Sequence, residues 1–85
     1  MTEWIDGLAE MFELEPLTDG ETDRLLRVAR DVAHRVERRG TPLAAFLIGM
    51  DVASRLAGGA SRDAAVAGSI AAVEALLPAA PESDP

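Results

Sequence analysis

The sequence has no cysteine, no lysine, no tyrosine and only one histidine. Without cysteine there is no disulfide framework and no thiolate metal site. His34 has no second imidazole to share a metal with, so neither a metal nor a cofactor is expected. The same shortage bears on catalysis. Ser54, Ser61 and Ser69 have no His–Asp arrangement imposed by spacing. No carboxylate stands isolated inside an apolar helical stripe, where a raised pKa would suit acid–base work. Gly7 and the pair Gly58–Gly59 do not form a phosphate-cradling loop behind a strand. A chain of 85 residues also lacks room for a deep pocket, so no catalytic residue and no enzymatic activity is expected.

Other absences limit partners and location. All eight basic residues are arginine, which with abundant Ala, Gly and Pro points to a GC-rich genome more than to a function. The net charge of −7 disfavours nucleic acid as a partner. The chain does not open on a basic segment followed by an apolar run, as a signal peptide would. Its most apolar stretches, 43–50 and 64–80, are bounded by Asp51 or interrupted by Glu74. No membrane span and a cytoplasmic location are expected.

What is present is helical. The 48% apolar content is too high for a disordered tail, and the length allows one domain with a small core. Thr2 is placed to cap a first helix that Pro16 limits, with Trp4, Leu8, Met11 and Phe12 on one face. Thr18 and Glu21 have capping-box spacing before a stripe of Leu25, Val28, Ala29, Val32, Ala33 and Val36. Gly40 reads as the stop, and Thr41–Pro42 as an N-cap followed by proline at the first helical position. The third core face reads as Leu43, Phe46, Leu47, Met50 and Ala53, ended by Gly58–Gly59. Ser61 caps a fourth helix whose stripe is Val66, Ile70, Val73 and Leu77, closed by Pro78. No alternating β-branched run and no internal repeat is visible. These signals predict an all-α fold, a compact four-helix antiparallel bundle with helices over about 3–13, 19–39, 42–57 and 62–77. The single domain is expected over 1–78, with 79–85 a disordered C-terminal tail.

Two surfaces stand out. Charge comes in blocks of −8 over 1–23, +4 over 24–39 and −3 over 40–85. Either the acidic block covers part of the basic helix, or some arginines remain unpaired. On a helical wheel Arg27, Arg30, His34 and Arg38 share a ridge opposite the apolar stripe, a candidate site for a phosphate or carboxylate. The plain alternative is a solvated face with weak ion pairs. The second surface is an apolar excess. Behind its core stripe helix three carries Ala45, Ile48, Val52 and Leu56, interrupted only by Asp51 and Arg55. Helix four carries a rear row of small residues, Ala64, Gly68, Ala71 and Ala75. A helix apolar all round has to be buried all round, so either helix three is central or these rows form an interface, with a second copy or with another protein. A helix-turn-helix across Gly40 is disfavoured, since helix three has few basic or amide side chains.

The stretch ARDVAHRVERRGTPLAAFLIG (29–49), with Trp4–Ile5 and the Gly58–Gly59 break, resembles an uncharacterised all-helical bacterial family, a small domain of unknown function. The resemblance extends over essentially the whole chain except the tail. It implies a protein found alone or joined to a nucleotidyltransferase of the molybdopterin-guanine dinucleotide type, and hence an accessory role in molybdenum-cofactor biosynthesis. It brings no catalytic residues. The functional expectation is a non-catalytic helical interaction module; the alternative is a small anionic-ligand (phosphate or nucleotide) binding protein using the Arg/His ridge.

Overall fold

The computed structural model describes residues 2–80. The chain is all-α, with four helices in order: α1 (Thr2–Met11), α2 (Asp19–Arg35), α3 (Gly40–Ala57) and α4 (Arg62–Leu76). Most of the tail expected over 79–85 lies outside the described residues.

The helix ends follow the local chemistry of capping. Thr18 Oγ1 accepts from the Glu21 N–H at 3.1 Å, and Glu21 Oε1 accepts from the Thr18 N–H at 2.9 Å, the reciprocal capping box. Ser61 Oγ accepts from the Ala64 N–H at the start of α4. α3 ends in a Schellman motif. The Ala60 N–H bonds the Arg55 carbonyl and the Gly59 N–H bonds that of Leu56, with Gly59 at φ 104°, where a side chain would be strained. α1 ends by the same device. Leu14 N–H reaches the Ala9 carbonyl and Glu13 N–H reaches that of Glu10, so the helix stops before Pro16 acts on it. Here the left-handed residue is Glu13, at φ 58°.

α2 is shorter than its sequence pattern. It stops at Arg35 rather than 39, and Gly40 is the first residue of α3, not the stop of α2. The reason lies in the next helix. Pro42 occupies the third position of α3, still within the first turn where a backbone N–H has no intrahelical partner, so α3 begins two residues early. The turn must then be made from 36–39, and Val36 leaves the helix at φ −115°, ψ −83° and is exposed. Thr41 is not the N-cap; Arg39 holds that position, and the Thr41 hydroxyl donates to the Ala29 carbonyl of α2 at 3.4 Å.

α2, α3 and α4 pack on one another, and α1 packs against none of them. Val28, Ile48, Val66 and Ile70 make the core, with Leu25, Val52 and Val73 packed around it. α4 buries Val66 and Ile70 of the stripe its sequence marks and half-buries Val73 and Leu77. α3 does not: of the expected core stripe, Leu43, Phe46, Leu47 and Met50 are 57–68% exposed and Ala53 is exposed as well, and the buried face runs through Ile48 and half-buried Val52. The surface that α4 offers explains this. It presents Ala65, Gly68 and Ser69, and a Cβ added at Gly68 would lie 2.7 Å from the Arg55 guanidinium. Arg55 lies across that glycine and donates to Asp51 at 2.8 Å. A face of small residues thus receives the two polar side chains of α3 together with Ile48 and Val52, while the bulkier row turns outward.

One polar cluster locks the corner where α2 and α4 begin. Glu21 is 4% exposed, and Arg62 meets it with a two-pronged fork: Nε donates to Oε2 at 2.7 Å and Nη2 to Oε1 at 2.9 Å. The remaining guanidinium donors bond the carbonyls of Glu15 (3.0 Å) and Pro16 (3.2 Å). Burial alone would raise the Glu21 carboxyl, but the Arg62 fork, the Thr18 backbone N–H and the nearby positive charge together outweigh it and hold the pKa below its ordinary value.

Candidate docking surface

The outer side of α3 is built by helical spacing. Leu43, Phe46, Leu47 and Met50 fall at i, i+3, i+4 and i+7, a complete apolar stripe of the kind that normally faces a core. Arg39, in helical conformation ahead of α3, continues the row at i−4 from Leu43. Four large apolar side chains in one contiguous row, capped by a cation, exceed the scattered exposure expected of a soluble surface.

α1 presents the matching features. Trp4, Leu8, Met11 and Phe12 lie on one face, and Trp4, Met11 and Phe12 are 60–69% exposed. Glu3, Asp6 and Glu10 occupy the other face, and the concave surface beside them is lined by Glu3, Asp6, Gly7, Glu10, Glu13, Leu14, Glu15 and Pro16. No cation enters it.

The sequence-predicted interface residues therefore fall on both sides of the packing. Ile48 is buried and Val52 half-buried in the chain's own core, so they offer nothing to a partner. Gly68 is half-buried beneath Arg55. Ala45 and Leu56, and on α4 Ala64, Ala71 and Ala75, are exposed, without forming a row of large side chains. α3 is turned by about half a revolution from the expected orientation, so the surplus apolar row is the other one.

The basic ridge is partly assembled. Arg27, Arg30 and His34 are exposed on α2, but Arg38 lies beyond its end, in the turn. Among the described residues the ion pairs are Arg24–Asp63 (3.6 Å), Arg55–Asp51 and Arg62–Glu21. Arg27, Arg30, Arg35, Arg38 and Arg39 have none, and the acidic residues of α1 pair with none of them. Arg24 and Arg27 border a shallow cleft with Ala67, Ile70 and Glu74. Neither the Arg62 clamp nor the Asp51–Arg55–Ser69 contact is among the sequence expectations. Arg55, then the Ser69 hydroxyl, hold the Asp51 carboxyl below its ordinary pKa, against a small opposing effect of burial. The small residues at 68 and 69 are a sequence signal for close packing there; nothing local links Arg62 to Glu21, 41 positions away.

No group of three or more metal-ligating side chains occurs among the described residues, and no helix among them is long and apolar enough to cross a membrane. No curated protein and no solved structure matches the chain. The sequence profile of one family matches it over residues 1–85, and the chain belongs to that family, a domain of unknown function (DUF6457).

Proposed function

We propose that the chain is a non-catalytic interaction module whose docking surface is the outer stripe of α3. Its occupant is an amphipathic helix with an acidic polar face. The observation that carries this is the row Leu43, Phe46, Leu47 and Met50, exposed at core spacing and headed by Arg39, which has no ion pair among the described residues. The apolar row supplies affinity through buried area, and the arginines select an acidic partner. The pathway part of the proposal is supported by the resemblance seen in 29–49: the module accompanies a nucleotidyltransferase of the molybdopterin-guanine dinucleotide type in cytoplasmic, bacterial molybdenum-cofactor biosynthesis. The test measures self-association of the purified chain and its co-purification with such a nucleotidyltransferase, for wild type and for Phe46→Glu. At least one association is expected, and Phe46→Glu is expected to abolish it without loss of helicity. Association of neither kind, or association indifferent to Phe46→Glu, overturns the reading.

A second reading is favoured by the exposed ridge of α2, where Arg27 and Arg30 have no ion pair among the described residues: Arg27, Arg30 and His34 hold a phosphate or nucleotide. It calls for a thermal shift with inorganic phosphate or a guanine nucleotide that shrinks with salt and disappears in Arg30→Ala. No shift at millimolar ligand removes it.

A further inference from the structure

Among the described residues α1 is an amphipathic helix that packs against no other helix, and the outer stripe of α3 is likewise uncovered. Their dimensions agree. Trp4 to Met11 spans eight residues and so does Leu43 to Met50, each about 10 Å over seven steps of 1.5 Å. Their charges are opposite in sign: Glu3, Asp6 and Glu10 back the first, while Arg35, at the end of α2, and Arg38 and Arg39, in the turn, precede the second along the chain, and among the described residues none of these six has an ion pair.

We propose that two copies of this chain exchange their α1 helices, the apolar face of each α1 lying on the outer α3 stripe of the other copy. This rests on the docking surface proposed above and names its occupant. The anchoring of α1 argues for a second copy rather than the same chain. The Schellman motif fixes Phe12–Leu14 to the end of α1, and Arg62 holds the carbonyls of Glu15 and Pro16 at the corner where α2 and α4 begin. The connector is tied at both ends, leaving no slack to carry α1 around a helix about 10 Å in diameter to the far side of α3. A two-fold exchange uses both unpartnered surfaces twice, covering on the order of 1,500 Å² with side chains of this size, close to the roughly 1,600 Å² of a standard stable interface. It is isologous and closed, so it stops at two copies.

The absence of native cysteine makes the test clean, because introduced thiols are unique reporters. Leu8→Cys chains are mixed with Leu47→Cys chains, oxidised mildly and separated by mass, with light scattering of the unmodified full chain in parallel. Arm exchange is expected to give an 18 kDa species, twice the 9.0 kDa chain. A mixed Leu8→Cys/Leu47→Cys disulfide is expected to dominate over either homotypic one. Phe46→Glu is expected to weaken the dimer by about a hundredfold or more, as loss of a central aromatic anchor does, and Arg39→Glu to weaken it less. A monomer at millimolar concentration overturns the exchange, while binding of a nucleotidyltransferase through Phe46 would still uphold the docking surface. An intramolecular disulfide in the doubly substituted chain at monomer mass, or a dimer joined through Leu47→Cys to Leu47→Cys, also overturns it. Those outcomes leave α3 as the docking surface with a different occupant.

Discussion

The two sides of α3 differ in a way that composition does not suggest. The inner side, against α2 and α4, contains Ile48 and Val52 but also Asp51 and Arg55, joined to each other and laid over Gly68 and Ser69. The outer side carries the bulkier and more uniformly apolar row, Leu43, Phe46, Leu47 and Met50, and faces water. Which side of a helix enters a small core is decided by fit to the neighbouring helix, and α4 offers a surface of small residues that suits Ile48 and a flat guanidinium. The apolar side chains left out are then available for a different partner. The same contrast holds for the whole chain: three helices hold one core, and α1, with a face as apolar as any of theirs, takes no part in it.

Substitutions can separate the two sides. Ile48→Ala removes buried volume from the core and is expected to cost about 3 kcal/mol, a large part of the stability of so small a domain, in thermal or denaturant unfolding. Phe46→Ala on the outer side is expected to change unfolding of the monomer by less than about 0.5 kcal/mol. Equal losses at the two positions would erase the distinction. Arg62→Ala leaves the buried Glu21 carboxylate without its fork and releases the connector behind α1; about 2–3 kcal/mol is expected, below the full value for a buried pair because Arg62 is partly in water.

Acid separates the core from the docking surface in another way. Glu21 has a folded-state pKa below its unfolded value, so its contribution is complete above the unfolded value near 4.5 and is lost as pH falls through the folded one. A stability profile from pH 6 to 2 should fall below that point and fall less steeply in Glu21→Gln, whose stability at neutral pH is lower. The smallest effect is expected from Gly68→Ala. The new methyl displaces only the mobile end of Arg55, and the gain of about 1 kcal/mol in helix propensity offsets the loosened pair. A change within about 0.5 kcal/mol, with Asp51–Arg55 rearranged, is the expected result.

Much of this was legible in the sequence because it is local. The Thr18–Glu21 capping box, the Ser61 cap, the Gly58–Gly59 stop and the Val66–Ile70–Val73 stripe depend on residues within a few positions of one another. The illegible parts are relations between elements. α3 has apolar residues all round, so periodicity supplied two candidate faces, and only the small residues of α4 select between them. α2 ends before its stripe predicts, and Pro42 sits in the third position of α3 rather than the first. α1 stands apart from the core on a connector that Arg62 holds, a contact between residues more than 40 positions apart. The ridge of Arg27, Arg30 and His34 is exposed as expected, but Arg38 fell outside it with the shortened helix.

The division of α3 into a core side and a docking side is tested most directly by the solution mass of the full chain and of Phe46→Glu, measured by light scattering over micromolar to millimolar concentration with helicity recorded on the same samples. The expected result is a wild type at twice 9.0 kDa and a fully helical Phe46→Glu at 9.0 kDa. A Phe46→Glu chain that loses its helicity would contradict the division, because it would place Phe46 inside the core.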